Sequence, residues 1–175
     1  DALKAYERAF ALQPNGAMLV QLHGALNRAG KAPQAALRME EWLRVHPNDL
    51  QVRLYYASSK AVAKDYAGAA LHLEDAVKAA PENVLALNDL AWFYHMSGRK
   101  EALAHAERAH RLAPSTPVVM DTLGWIHLEA GNVARALPLL QKASALAPGS
   151  AEIRYHYGMV LAKSGDKAGA RRELQ

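Results

Sequence analysis

Five prolines recur along this 175-residue chain at intervals of 33 or 34 residues, and this spacing constrains the fold more than any other feature. They are Pro14, Pro47, Pro81, Pro114 and Pro148, and several close a similar phrase, such as DAVKAAP, RAHRLAP or KASALAP. A repeat of this length predicts an array of stacked units. Because proline cannot continue a helix, each one is expected to end a helix.

The residues between successive prolines predict two helices joined by a short turn. Leu19, Leu22 and Leu26 follow a helical period in the first segment, and small or apolar residues recur at fixed offsets before each proline in the second. A glycine marks most of the turns: Gly30, Gly98, Gly131 and Gly165. The expected N-caps are Asp65, Asn132, Asp166 and Thr116 before Pro117. No stretch alternates with a period of two, so we expect no strands.

Composition removes several classes of function. The absence of cysteine excludes disulfide frameworks, cysteine nucleophiles and cysteine-ligated metal sites. The net charge of +4 comes from interspersed signs, which does not favour a nucleic-acid partner. The longest uncharged stretch, residues 9–27, contains polar residues and a proline, so we expect no membrane-spanning segment. No catalytic, phosphate-binding or metal-ligand motif occurs, and we expect neither an enzyme nor a cofactor.

A helix–turn–helix unit of 34 residues with small residues at set places and a closing proline resembles the tetratricopeptide repeat. The clearest unit contains Met120, Leu123, Gly124, His127, Ala136, Leu140, Ala143 and Pro148. The resemblance covers essentially the whole chain and implies an all-α fold, a right-handed superhelix of antiparallel helix pairs with about eleven helices. His127 stands at an aromatic place of the pattern, which implies a packed, hydrogen-bonded histidine.

The repeat register divides residues 1–175 into one array. Residues 1–14 form the second helix of a truncated repeat, and 150–175 form another truncated repeat. The full repeats span 15–48, 49–82, 83–115 and 116–149. Two departures stand out: Trp42 replaces a small residue and should push its helix pair apart, and Pro138 should distort its helix without breaking it. The two truncated ends are expected to expose apolar surface and to associate end to end.

The phrases ALNDLAWFYH and EIRYHYGMVLAKSGDKAGARREL give a narrower resemblance, to the last repeats of tetratricopeptide lipoproteins of bacterial PEP-CTERM (exosortase) systems near exopolysaccharide loci. That resemblance implies an exported protein, periplasmic or anchored to the outer membrane of a Gram-negative bacterium.

In the family, the first helices line a concave groove that binds a peptide or protein. The candidate ligand-binding residues carried over to this groove are Asn88, Trp92, His95, Asp121, Trp125, Tyr155 and Met159. The residues lining the N-terminal half of the groove are small and offer no distinctive binding groups, whereas the C-terminal half has two tryptophans at equivalent places. These indoles either anchor a ligand or pack between helices. The favoured function is a non-catalytic protein–protein interaction scaffold; the alternative is a carbohydrate-binding module that stacks a polysaccharide on the aromatic rings.

Overall fold

The structure, a computed structural model, describes residues 2–175 and contains eleven α-helices and no strand in that range. The first five are α1 (Ala2–Leu12), α2 (Gly16–Arg28), α3 (Ala32–Val45), α4 (Leu50–Val62) and α5 (Tyr66–Ala79). The remaining six are α6 (Val84–Met96), α7 (Ala102–Leu112), α8 (Pro117–Glu129), α9 (Val133–Leu146), α10 (Ala151–Ser164) and α11 (Lys167–Leu174). None of them is long and apolar enough to cross a bilayer within the part of the chain described.

The helix ends follow the predicted capping and turn residues. Asp65 and Asp166 each accept a hydrogen bond from the backbone N–H three residues later, which confirms them as N-caps. Asn132 and Thr116 stand at their predicted cap positions, but their side chains make no cap hydrogen bond. Gly30, Gly98, Gly131 and Gly165 all have positive φ angles, which glycine adopts without a Cβ penalty. Lys64 takes the same conformation, with φ of 63°, in the turn that lacks a glycine.

The helices form two compact units, one ending at Pro81 and the other spanning Glu82–Gln175. In the first unit, Leu19, Met39 and Tyr56 belong to one buried cluster. Trp42 packs at the edge of this cluster, and its Nε1 donates a hydrogen bond to Asp49 Oδ2 over 2.8 Å. The indole therefore ties the end of α3 to the residue that caps α4.

In the second unit, α8 packs against both α6 and α10, so the three first helices are neighbours. The alanines of the second helices are fully buried at Ala109, Ala136 and Ala143, which is the packing role that the repeat pattern predicts. Pro138 lies inside α9, and the helix continues through it, as expected. This packing places one face of α6, α8 and α10 in register and sets the geometry of the candidate site.

Candidate functional site

Aromatic rings from α6, α8 and α10 form one connected group, which we call the aromatic cluster: Trp92, Trp125, Tyr155 and His156. The indole of Trp125 stacks on the His156 imidazole with 4.1 Å between centroids and 28° between planes. The Trp92 indole lies 6.1 Å from the same imidazole, and the phenol of Tyr155 lies 6.2 Å from Trp125. Distances of this size are typical of interacting aromatic pairs. The cluster therefore joins all three neighbouring first helices.

His156 is the centre of the cluster, and it is not among the residues predicted from the sequence. Its side chain is buried, and its Nδ1 lies 2.9 Å from Asp121 Oδ2 and 3.0 Å from Oδ1. Since a carboxylate only accepts hydrogen bonds, Nδ1 carries the proton and donates it to Asp121. The carboxylate thereby fixes the orientation of the ring on which Trp125 stacks.

The place of Asp121 in the repeat predicted a ligand-binding side chain, but in the structure this side chain is engaged with His156. Its side chain is 5% exposed and both of its oxygens face His156, so it does not present a free carboxylate to a ligand. Asp121 is better described as a positioning residue that acts through His156.

The sequence left open whether the indoles anchor a ligand or pack between helices, and their exposure in the structure is intermediate between these two states. Trp92 and Trp125 are half-buried, and Trp125 also packs against the buried cluster of Leu128 and Leu140. Tyr155 is 49% exposed and is the most open ring of the cluster. The indoles thus contribute both to packing and to the surface.

The remaining candidates flank the cluster. Asn88 is buried, donates from Nδ2 to Asp89 Oδ1 over 3.4 Å, and its Oδ1 has no hydrogen-bond partner among residues 2–175. Burial raises the pKa of the Asp89 carboxyl, and the hydrogen bond from Asn88 opposes this shift. Burial also lowers the pKa of His95, with the nearby Glu129 acting in the opposite direction, so the His95 imidazole is neutral at pH 7.

Two further candidate residues have a structural role. Met159 packs against the same buried cluster as Trp125. His127 is buried, which confirms the packed histidine, but its Nδ1 has no hydrogen-bond partner in the described part of the chain, so the expected hydrogen bond is not made through that atom.

The first unit has a polar counterpart, which differs from the prediction that this half of the groove is lined by small residues without distinctive binding groups. His23 is buried, and its Nδ1 lies 3.1 Å from the hydroxyl of Tyr55. Asn27 Nδ2 lies 3.2 Å from the same nitrogen. A cavity of about 580 Å³ opens beside Tyr55 between α2 and α4, with Val20 and Gln51 among its lining residues.

Comparisons with known proteins agree with this architecture. Two models of the tetratricopeptide repeat match the chain, over residues 25–83 and 127–175, and together they cover more than half of it. The TPR repeat-containing protein PA4667 of Pseudomonas aeruginosa is 30% identical in an alignment of 165 residues that covers 90% of this chain. The match covers 27% of that relative, so the chain spans about a quarter of its length.

Several solved structures share the fold over most of the chain. MamA from Desulfovibrio magneticus RS-1 has a TM-score of 0.74 and 20% identity, covering 91% of this chain and 90% of its own. YrrB, described as a TPR protein with an unusual peptide-binding site, has a TM-score of 0.70 and 18% identity, with coverages of 98% and 90%. Identities this low establish the fold alone. The helix pairs, the buried alanines and these matches agree that the chain belongs to the tetratricopeptide repeat family and has its all-α superhelical fold.

Proposed function

We propose that this chain is a non-catalytic interaction scaffold whose second unit binds an extended peptide or protein segment across α6, α8 and α10. The observation that carries the proposal is the aromatic cluster, in which rings from three neighbouring helices touch while Tyr155 remains 49% exposed. Aromatic anchors that are rigid and partly exposed are typical of binding surfaces, because they add contact area at a low entropic cost.

The cluster is held rigidly before any ligand arrives. The imidazole of His156 is fixed on one side by Asp121 and covered on a face by Trp125. Rings that are already ordered lose little conformational entropy on binding, so more of the contact energy contributes to affinity. The likeness to YrrB, a tetratricopeptide protein with a peptide-binding site, supports a peptide as the ligand class.

The biological context is proposed from the narrower sequence resemblance. In this proposal the chain serves a PEP-CTERM sorting or exopolysaccharide system of the bacterial envelope, as part of an exported lipoprotein. Co-purification of a PEP-CTERM-type substrate or an exosortase-associated envelope protein with the full-length parent tests this context, and capture of cytoplasmic partners alone contradicts it.

A displayed library of random peptides, each about ten residues long, tests the binding function directly. The wild-type protein should select peptides that the Tyr155→Ala variant binds about tenfold more weakly, because an anchor residue typically contributes 1–2 kcal/mol or more. Tyr155 is preferable to Trp125 for this test, since truncating Trp125 also removes core packing. Leu146→Ala is the matched control, because Leu146 is 52% exposed on the second helix α9.

Two other outcomes are informative. Selection of no peptide, together with binding to a glycan array that Tyr155→Ala abolishes, would favour the carbohydrate-binding alternative. The proposed end-to-end association of copies relies on exposed apolar residues such as Leu12 and Leu174, which are 86% and 47% exposed. Light scattering that shows a strict monomer at millimolar concentration would contradict that association.

A further inference from the structure

Charge is sharply segregated among the helices of the second unit. The first helices α6 and α8 carry Asp89, Asp121 and Glu129 but no lysine or arginine. In contrast, nine of the eleven lysines and arginines after Pro81 lie on the second helices and turns: Arg99, Lys100, Arg108, Arg111, Arg135, Lys142, Lys167, Arg171 and Arg172. Of these three carboxylates Glu129 is exposed, whereas Asp121 is engaged with His156, so the negative charge at the surface of α6 and α8 comes mainly from Glu129.

Each partly exposed aromatic residue also has a carboxylate one helical turn away. Asp89 precedes Trp92 by three residues, and Glu129 follows Trp125 by four. Glu152, which is exposed, precedes Tyr155 by three. Residues three or four apart share a helix face, with Cβ atoms about 5–6 Å apart. The rings and the carboxylates consequently belong to the same surface.

The cations of α10 do not neutralise this surface. Arg154 is directed to α11, where its Nε donates to Glu173 Oε2 over 3.2 Å and its NH2 group donates to the carbonyl of Arg172. Lys163 lies in the last turn of α10, eight residues beyond Tyr155. Glu129 and Glu152 thus remain as exposed carboxylates beside the cluster.

We propose that the aromatic cluster of the second unit binds an extended basic segment of a partner protein, with lysine or arginine side chains against the rings of Trp125 and Tyr155 and beside Glu129 and Glu152. This inference rests on the proposed scaffold function and specifies its ligand. A cation over an aromatic face strengthens binding about two- to fivefold at an exposed site, and the carboxylates add charge complementarity. An acidic segment would be repelled by the exposed carboxylates of Glu129 and Glu152.

Three matched peptides test the charge preference. Each is acetylated and amidated, is about ten residues long and alternates serine with lysine, glutamine or glutamate. Three helices at 8–10 Å spacing span about 20 Å, which an extended segment of this length covers. We expect the lysine peptide to bind about tenfold more tightly than the glutamine peptide at low salt, because two such cation contacts together reach about tenfold. The preference should shrink as the salt concentration is raised.

The double variant Glu129→Gln with Glu152→Gln tests whether these two residues recognise the positive charge of the peptide. This variant should bind the lysine peptide about fivefold more weakly and bind the glutamine peptide with unchanged affinity. The double variant Glu41→Gln with Glu107→Gln changes net charge equally but lies on the second helices α3 and α7, and it should have no effect beyond about twofold.

The outcomes separate this inference from the function on which it rests. Equal binding of the lysine and glutamine peptides, or no effect of the Glu129 and Glu152 changes, overturns the basic specificity. If the glutamine or glutamate peptide binds and Tyr155→Ala abolishes that binding, the scaffold function stands without basic specificity. If neither these peptides nor the random library bind in a Tyr155-dependent way, both proposals are overturned.

Discussion

Replacement of Gly124 by alanine is predicted to destabilise the second unit, although alanine favours helices more than glycine does. A Cβ atom built at Gly124 lies 2.7 Å from Leu140 Cγ and 2.9 Å from Leu140 Cδ2. It also lies 3.3 Å from Leu139 Cβ, and Leu140 is fully buried. Neither leucine can retreat without disturbing the packing of α8 on α9.

The magnitude follows from two opposing terms. Alanine gains about 1 kcal/mol over glycine inside a helix. Overpacking a buried site typically costs about 1–3 kcal/mol, and the two Leu140 atoms at 2.7 and 2.9 Å place Gly124 in the upper half of that range. We therefore expect a net loss of about 1–2 kcal/mol, or a melting temperature lower by about 2–8 °C. Urea denaturation followed by tryptophan fluorescence measures it.

Two controls isolate the clash. Gly158→Ala places its Cβ at 2.7 Å from Leu174 Cγ, but Leu174 is 47% exposed near the end of α11 and can move. Gly24→Ala meets only the mobile guanidinium of Arg28 at 3.4 Å and a hydroxyl at 3.9 Å. Gly158→Ala should leave the free energy of unfolding nearly unchanged, and Gly24→Ala should raise it by up to about 1 kcal/mol.

A double-mutant cycle decides whether the reasoning is correct. In a Leu140→Ala background the two closest atoms, Leu140 Cγ and Cδ2, are absent and Leu139 Cβ at 3.3 Å remains, so adding Gly124→Ala should no longer destabilise the protein and should stabilise it by up to about 1 kcal/mol. An equal loss in both backgrounds would refute the packing explanation, as would a stabilising effect of Gly124→Ala in the wild-type protein.

Three further predictions concern buried polar groups. Arg53 is 7% exposed and donates to Asp75 Oδ2 over 3.0 Å, so Arg53→Met should lower the free energy of unfolding by about 1–2 kcal/mol in urea melts. Burial, assisted by a nearby arginine, lowers the pKa of His127, so the folded state resists its protonation. The protein should therefore lose stability as the pH falls below about 6.5, and His127→Phe should weaken that dependence in melts between pH 7 and pH 5. Asp121→Ala should lower the free energy of unfolding by about 1–3 kcal/mol, because it leaves His156 Nδ1 buried without an acceptor. Asp121→Asn should lower it by less, and equal losses for the two variants would contradict the hydrogen-bond assignment.

The all-α architecture could be read from the sequence because helix boundaries depend on local residue chemistry. Pro47, Pro81 and their equivalents cannot continue a helix, and Asp65 and Asp166 cap the next one with their own side chains. Gly124 holds a small-residue place of the repeat pattern, and the lack of room for a Cβ atom beside Leu140 agrees with that place. Features that depend on a few neighbouring residues were therefore predictable.

The aromatic cluster was predictable only in part, for a geometric reason. The repeat period identifies which places are equivalent, such as Trp92 and Trp125, and these two residues lie on the neighbouring first helices α6 and α8. The burial of each indole depends on helix crossing angles and side-chain rotamers, and the repeat period does not determine either. The half-buried state of Trp125 could not be deduced from its place in the repeat.

Contacts between neighbouring first helices explain why His156 was missed. Residues that hold equivalent places in successive repeats are separated by 33 or 34 positions, yet the polar pairs that touch are offset from this period. Asp121 pairs with His156 at a separation of 35, and His23 pairs with Tyr55 at a separation of 32. Because adjacent helices cross at an angle, a side chain meets a residue one or two places from its equivalent. A buried carboxylate needs a partner, so a search of that narrow window around each equivalent place would have found His156 beside Tyr155.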